Sequence, residues 1–173
     1  MSLAGKLIAF VGKRAARRFD KACQDPGGVQ TRLLLDMVRR NAGTEYGKRY
    51  NFAAIKTVAD FQRSVPVITY EDIKQDMMRV AAGTSNVFTA EDPVMFAQTS
   101  GTTGDPKFVP VTPTDRGTAH TDQMRTWLYH AQKAHPGILD YKIVSLVSPA
   151  IEGHTESGLP FGSTSGHIYK NMP

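Results

Sequence analysis

The chain holds one cysteine, Cys23, and one tryptophan, Trp127, in 173 residues. A lone cysteine closes no intramolecular disulfide, and nothing around Cys23 marks a nucleophile, so it is read as an inert thiol. Also absent is any apolar run approaching the length of a membrane-spanning helix. Leu7-Ile8-Ala9-Phe10-Val11 is too short for the core of a secretory signal, and charges follow it at once. These absences together favour the cytoplasm. His120, His130, His135, His154 and His167 show no H-E-x-x-H spacing and no cysteine joins them, so no metal site is expected. Repeats and low-complexity tracts are absent too.

Several catalytic patterns are missing. No G-x-G-x-x-G occurs, which excludes the dinucleotide fingerprint. Gly162-Ser163-Thr164-Ser165-Gly166 fails as a nucleophile elbow because its central residue is threonine. Glu152 and Glu156 are four apart, but the residues between them argue against one helix face, so they are not read as an acid–base pair. No catalytic residue is assigned.

Charge is distributed unevenly. Residues 1–21 carry Lys6, Lys13, Arg14, Arg17, Arg18 and Lys21 against the single acid Asp20; the remainder balances, with fifteen bases and fifteen acids. The net charge of +5 therefore belongs to one N-terminal segment, and nucleic-acid binding by the whole chain gains no support. Leu3, Leu7, Val11 and Ala15 recur every four residues there, with Ile8 and Phe19 nearby, which predicts an amphipathic helix over residues 1–24. The expectation is a surface helix packed on the domain by that stripe. Contact with an anionic membrane surface is the alternative.

What is present is concentrated in Thr99-Ser100-Gly101-Thr102-Thr103-Gly104-Asp105-Pro106-Lys107. Val94–Ala97 and Phe108–Val111 flank it with apolar residues, which predicts strand, tight turn, strand. Gly101 and Gly104 let the backbone approach a ligand. Thr99, Ser100, Thr102 and Thr103 supply rotatable donors, and Lys107 a compact positive charge. Such a turn suits a phosphate. It is not a Walker loop: Asp105-Pro106 separate Gly104 from Lys107, Phe108 stands where a magnesium-binding hydroxyl belongs, and a strand follows.

The turn resembles the signature of the adenylate-forming superfamily, [ST]-[SG]-G-[ST]-T-G-x-P-K, at every fixed position. Asn41-Ala42-Gly43-Thr44-Glu45-Tyr46-Gly47, Phe61–Val67, Tyr70-Glu71-Asp72 and Ser148–Pro160 are similar to the auxin-responsive-promoter family of acyl acid–amido synthetases, from about Asn41 onward. The resemblance implies an enzyme that activates a carboxylic acid with ATP and Mg2+ as an acyl adenylate and transfers it to an amine, usually of an amino acid. It implies that Thr99, Ser100, Gly101, Thr102, Thr103, Gly104 and Lys107 hold the nucleotide phosphates. By position alone it carries Arg125, Trp127, Thr155 and Leu159 to the border of an acyl pocket. It also implies that residues 25–173 are the N-terminal part of an AMP-binding domain, without the later nucleotide motifs or the C-terminal lid. These residues alone are then expected to lack robust adenylating activity, and to need the missing part or to self-associate. The rival reading is a truncated, non-catalytic homologue that binds a phosphate-bearing ligand or a protein partner.

Local signals complete the expectation. Thr57–Asp60 and Thr69–Asp72 look like capping boxes, the second opening a helix with Ile73, Met77 and Val80 on one face and an end near Gly83. Arg32–Arg40 is a further helix. Thr112-Pro113-Thr114-Asp115 opens a long one reaching Lys133, with Met124, Trp127, Leu128 and Ala131 on its buried side. Lys142–Ser148 reads as a buried strand and residues 149–173 as an irregular tail. The fold class is α/β, a helical N-terminal layer followed by the first strands of an incomplete domain.

Overall fold

The computed structural model describes residues 3–99, 107–115, 120–140, 144 and 146–170; the side chains of Leu3, Ala4, Ile8 and His120 lie outside that description. Two units emerge, one from residues 1–30 and 114–146, the other from residues 31–113 and 147–173.

In the first unit, helix α1 (Leu3–Ala22) packs on helix α6 (His120–Ala134). Of the expected stripe, the packed side of α1 keeps Ala15 but not Leu7 or Val11. Gly5, Gly12, Ala15 and Ala16 are buried, while Leu7 is 62% and Phe10 78% exposed. Backbone proximity selects the small residues: a Cβ on Gly12 would stand 2.7 Å from the Arg125 carbonyl oxygen and 2.9 Å from Tyr129 Cβ. A seam without side chains lets the two helices approach more closely than leucines allow. Arg18 pairs with Asp122, and Asp20 lies 3.2 Å from His130 Nε2. On α6, Met124, Leu128 and Ala131 are half-buried, but Trp127, expected inside, is 62% exposed; the residue the helix buries is Gln132. Helical turns at Pro113–Asp115 precede α6, and Gly137, at φ 94°, follows it.

The second unit carries the sheet and both hydrophobic clusters. Helix α2 (Pro26–Arg40) begins six residues earlier than the apolar pattern indicates. Asp25 explains this: its carboxylate accepts the Gly28 N–H at 3.0 Å, and Pro26 takes the first helical position, where no N–H is needed. A five-residue helix, α3 (Glu45–Arg49), went unforeseen. Helix α4 (Val58–Ser64) starts at the expected box, with Thr57 Oγ1 accepting from Asp60 N at 3.1 Å and Asp60 accepting from Thr57 N at 2.9 Å. Helix α5 (Tyr70–Ala81) begins where the N–H and hydroxyl of Thr69 both donate to Asp72. It buries Met77 and Val80 as expected and stops at Gly83, whose φ of 102° suits glycine.

Strands β1 (Met95–Gln98), β2 (Phe108–Val111), β3 (Gly153–His154) and β4 (Pro160–Gly162) form a mixed sheet in the order β2-β1-β4-β3. The β1–β2 and β3–β4 pairs are antiparallel, whereas β1 and β4 run parallel. Met77, Val80, Ala81, Val87 and Phe96 make one core, and Val38, Phe52 and Ile55 a second. The tail is therefore not irregular: it contributes β3, β4 and helix α7 (Thr164–Lys170). Its strands are too short to show a period of their own and are specified by pairing, β4 to β1 and β3 to β4. Conversely, the described part of 142–148 is not strand, and Val144 and Leu146 are 90% and 100% exposed. Residues 142, 143 and 145 of that expected strand lie outside the described residues.

Candidate functional site

The β1–β2 pair ends in a closed turn root. Gln98 pairs with Phe108, and beyond it Thr99 N–H donates to the Lys107 carbonyl at 3.1 Å. Lys107 N–H donates back to Thr99 Oγ1 at 3.0 Å. Of the proposed phosphate ligands, these two residues are described; Ser100, Gly101, Thr102, Thr103 and Gly104 lie outside the described residues. The root is braced from α5: Phe108 N–H donates to the Tyr70 hydroxyl at 3.2 Å, and Lys107 Nζ stands 5.3 Å from the Tyr70 ring centroid. That ring holds the ammonium at the turn by cation–π attraction. Tyr70 was singled out only as part of a resemblance; its bracing role had no local signal.

Because β1 and β4 are parallel, their carboxyl ends share an edge of the sheet. Ligands of α/β sheets gather at such edges. The segment after β4 is hydroxyl-rich: Ser163 Oγ accepts the Gly166 N–H at 3.0 Å and lies 2.7 Å from Ser165 Oγ. Gly166 is fixed by crowding, since a Cβ there would sit 2.1 Å from the Ser148 carbonyl oxygen.

Beside this frame lies an open cleft of about 680 Å3 between α5 and the β2–β4–β3 face. Met78, Phe108 and Phe161 give it an apolar wall, and Thr155 and His154 line its rim. The Phe108 and Phe161 rings are 5.1 Å apart. Its cations are already engaged. Arg79 makes two 2.8 Å bonds to Glu45 and one of 2.9 Å to Asp76, while Lys74 lies 3.5 Å from Glu71. The Arg79 bonds hold the Glu45 carboxyl below the ordinary carboxylate range. The cleft thus presents apolar surface with a polar rim rather than a free anion site. Thr155 and Leu159 close one turn, Thr155 N–H donating to the Leu159 carbonyl at 2.9 Å; the Leu159 side chain packs into the Phe96 core. Arg125 and Trp127 lie on α6 in the other unit, with Arg125 3.6 Å from Asp122.

The resembling segment at Asn41–Gly47 proves to be scaffold. Thr44, fully buried, donates to the Asn41 carbonyl at 2.8 Å and accepts the Gly47 N–H at 2.9 Å. Asn41 Oδ1 accepts from Ala90 N at 3.0 Å, and Glu45 and Tyr46 N–H groups reach the Asn86 and Val87 carbonyls. Gly47 has no room for a side chain, its Cβ position being 2.1 Å from the Asn41 oxygen. The segment ties α2 and α3 to the loop that leads into β1.

Residues 15–173 match the family model described as the GH3 family N-terminal domain. The chain belongs to the GH3 family. Its match begins well before Asn41, where the resemblance first becomes visible by eye. Indole-3-acetic acid-amido synthetase GH3.2 of Arabidopsis thaliana is 31% identical to this GH3 chain over 99 residues, covering 56% of the chain and 18% of the relative. Jasmonoyl--L-amino acid synthetase JAR6 of Nicotiana attenuata is 26% identical over 164 residues, covering 94% and 28%. Among solved structures, the AtGH3.15 acyl acid amido synthetase in complex with 2,4-DB superposes with a TM-score of 0.78 at 24% identity, over 92% of the chain and 29% of that protein. The GH3 chain therefore shares their fold and spans less than a third of their length.

Proposed function

We propose that this GH3 chain supplies the phosphate-holding turn and part of the acyl-acid wall of an ATP-dependent acyl acid–amido synthetase. The observation that carries the reading is the turn root. Thr99 and Lys107, the ends of a hydroxyl- and glycine-rich segment, are bonded to each other where two paired strands end, with Tyr70 against Lys107 and Phe108, and Phe108 lines an apolar cleft. Family membership and the names of the relatives support a synthetase over a non-catalytic phosphate-binding module.

The donor set fits a polyphosphate: hydroxyls at Thr99, Ser100, Thr102 and Thr103 with the Lys107 ammonium. Mg2+ bound with the nucleotide would supply charge neutralisation. The substrate carboxylate attacks the α-phosphorus of ATP, and pyrophosphate leaves with the electrons of the broken P–O bond. The turn holds that leaving group and offsets its charge. An amine nitrogen then attacks the acyl carbon, AMP departs and the amide forms. The cleft wall of Phe108 and Phe161 orients an apolar acid body. Arg125, Trp127 and Leu159 remain candidates for the acyl border by position, and cytoplasmic location remains part of the proposal.

Backbone amide NMR of the 19.0 kDa chain during titration with magnesium and tripolyphosphate tests the turn. Shifts concentrated at 99–107 and abolished by Lys107→Ala are expected. No shift there at millimolar polyphosphate overturns the phosphate assignment. Acid-dependent ATP–pyrophosphate exchange, in a polypeptide of the relatives' length carrying these residues, tests the reaction; its absence overturns the synthetase reading.

A further inference from the structure

The helix α1 uses its smallest residues to pack and leaves its largest outside. With about 100° per residue, Leu7, Phe10, Val11 and Arg14 fall in one arc opposite the Gly12–Ala16 seam. Leu7, Phe10 and Val11 are 62%, 78% and 42% exposed. Lys6, Lys13 and Arg17 flank that apolar cluster, and Arg14 and Lys21 extend it toward the helix end. The segment's one acid, Asp20, faces His130 on α6. A phenylalanine and a leucine thus stand exposed side by side with cations along one flank.

We infer that this face of α1 docks on an anionic phospholipid surface, the apolar cluster entering the headgroup boundary and the bases meeting lipid phosphates and carboxylates. Charge selects this occupant. Arg18 is engaged by Asp122, but a second copy of the chain would set the other five bases against five bases, whereas an anionic bilayer complements them. An interfacial helix binds by buried apolar area together with attraction to anionic lipid, and α1 offers both, an apolar cluster and a basic flank. Each base near the surface adds about fivefold in affinity. The face belongs to the first unit, the turn and cleft to the second.

Cosedimentation of the full chain with phosphatidylcholine vesicles, with and without phosphatidylserine, tests it. Binding is expected with phosphatidylserine, lost in high salt, and absent with phosphatidylcholine alone. Leu7→Ser with Phe10→Ser, and separately Lys13→Glu with Arg17→Glu, should each reduce binding about tenfold or more. Both pairs are exposed, and unchanged circular dichroism will show that the helices persist. No sedimentation with phosphatidylserine overturns the inference. So does binding that survives the double serine change, which means adsorption by charge alone. A dimer in solution that the serine pair dissolves assigns the face to a second copy and overturns it equally. Loss of vesicle binding in a polypeptide of the relatives' length, with Leu7 and Phe10 protected from solvent, assigns the face to the remaining chain instead.

Discussion

Replacing Thr44 by valine removes one oxygen from a site with no solvent. Thr44 is fully buried, and its hydroxyl oxygen is the acceptor for the Gly47 N–H at 2.9 Å. Valine keeps the shape and leaves that donor without a partner. A lost cap costs about 1 kcal/mol and a stranded buried donor about 1–3 kcal/mol. These describe the same broken bond, so they are not summed, and about 2 kcal/mol is expected. The Asn41 carbonyl keeps its other bond, from Thr44 N at 3.1 Å, and adds little. For a chain of this size the unfolding midpoint should fall by about 4–8 °C. Thr44→Ser retains the oxygen and loses one methyl, about 1 kcal/mol. The assay is thermal and urea unfolding followed by far-ultraviolet circular dichroism, because Trp127 sits in the other unit and reports nothing of Thr44. Valine at least as stable as serine would refute the reasoning, since packing and not the hydrogen bond would then dominate.

Three further outcomes follow from the geometry. Thr102→Ala and Thr103→Ala should each lower ATP–pyrophosphate exchange about a hundredfold, roughly 3 kcal/mol, in a polypeptide of the relatives' length; unchanged exchange removes them from the phosphate set. Gly166→Ala forces a Cβ to within 2.1 Å of the Ser148 oxygen, so α7 should loosen, read as faster hydrogen exchange over 164–170. Asp60 and Asp72 are held below the ordinary 3.8, Asp60 first by the Thr57 hydroxyl and Asp72 first by the Thr69 N–H. Their folded values being depressed, the stability they contribute is complete above the unfolded value and lost as pH falls through the folded one. Unfolding midpoints should stay level down to about pH 5 and drop below about pH 4; Asp72→Asn should flatten that drop, and an equal drop in the variant excludes Asp72 as its cause.

The elements legible in the sequence are those whose instructions are local. Thr57 with Asp60, and Thr69 with Asp72, start helices by bonds spanning three residues, and both starts are found where expected. The β1–β2 hairpin declares itself by apolar runs around a polar turn. The failures are non-local. A four-residue stripe on α1 indicates a helix but not which side meets α6, and close backbone approach at Gly12 outweighs Leu7 and Val11. Strands β3 and β4 hold two and three residues, so no period can reveal them. At the site, the Lys107 end of the turn follows from residue chemistry alone, whereas Tyr70 reaches it from 38 positions away and carries no sign of doing so.

The first unit is built from two chain segments, with the Arg18–Asp122 pair 104 residues apart. That separation has a kinetic consequence. During synthesis α1 emerges first and waits for all of 31–113 before its partner helix exists. The contacts within 31–113 are shorter in sequence and can form in that interval. Closure of the α1–α6 seam is then the late step of folding, and a substitution at Gly12 or Ala16 should slow it while leaving the earlier collapse of the Met77–Phe96 core at its original rate.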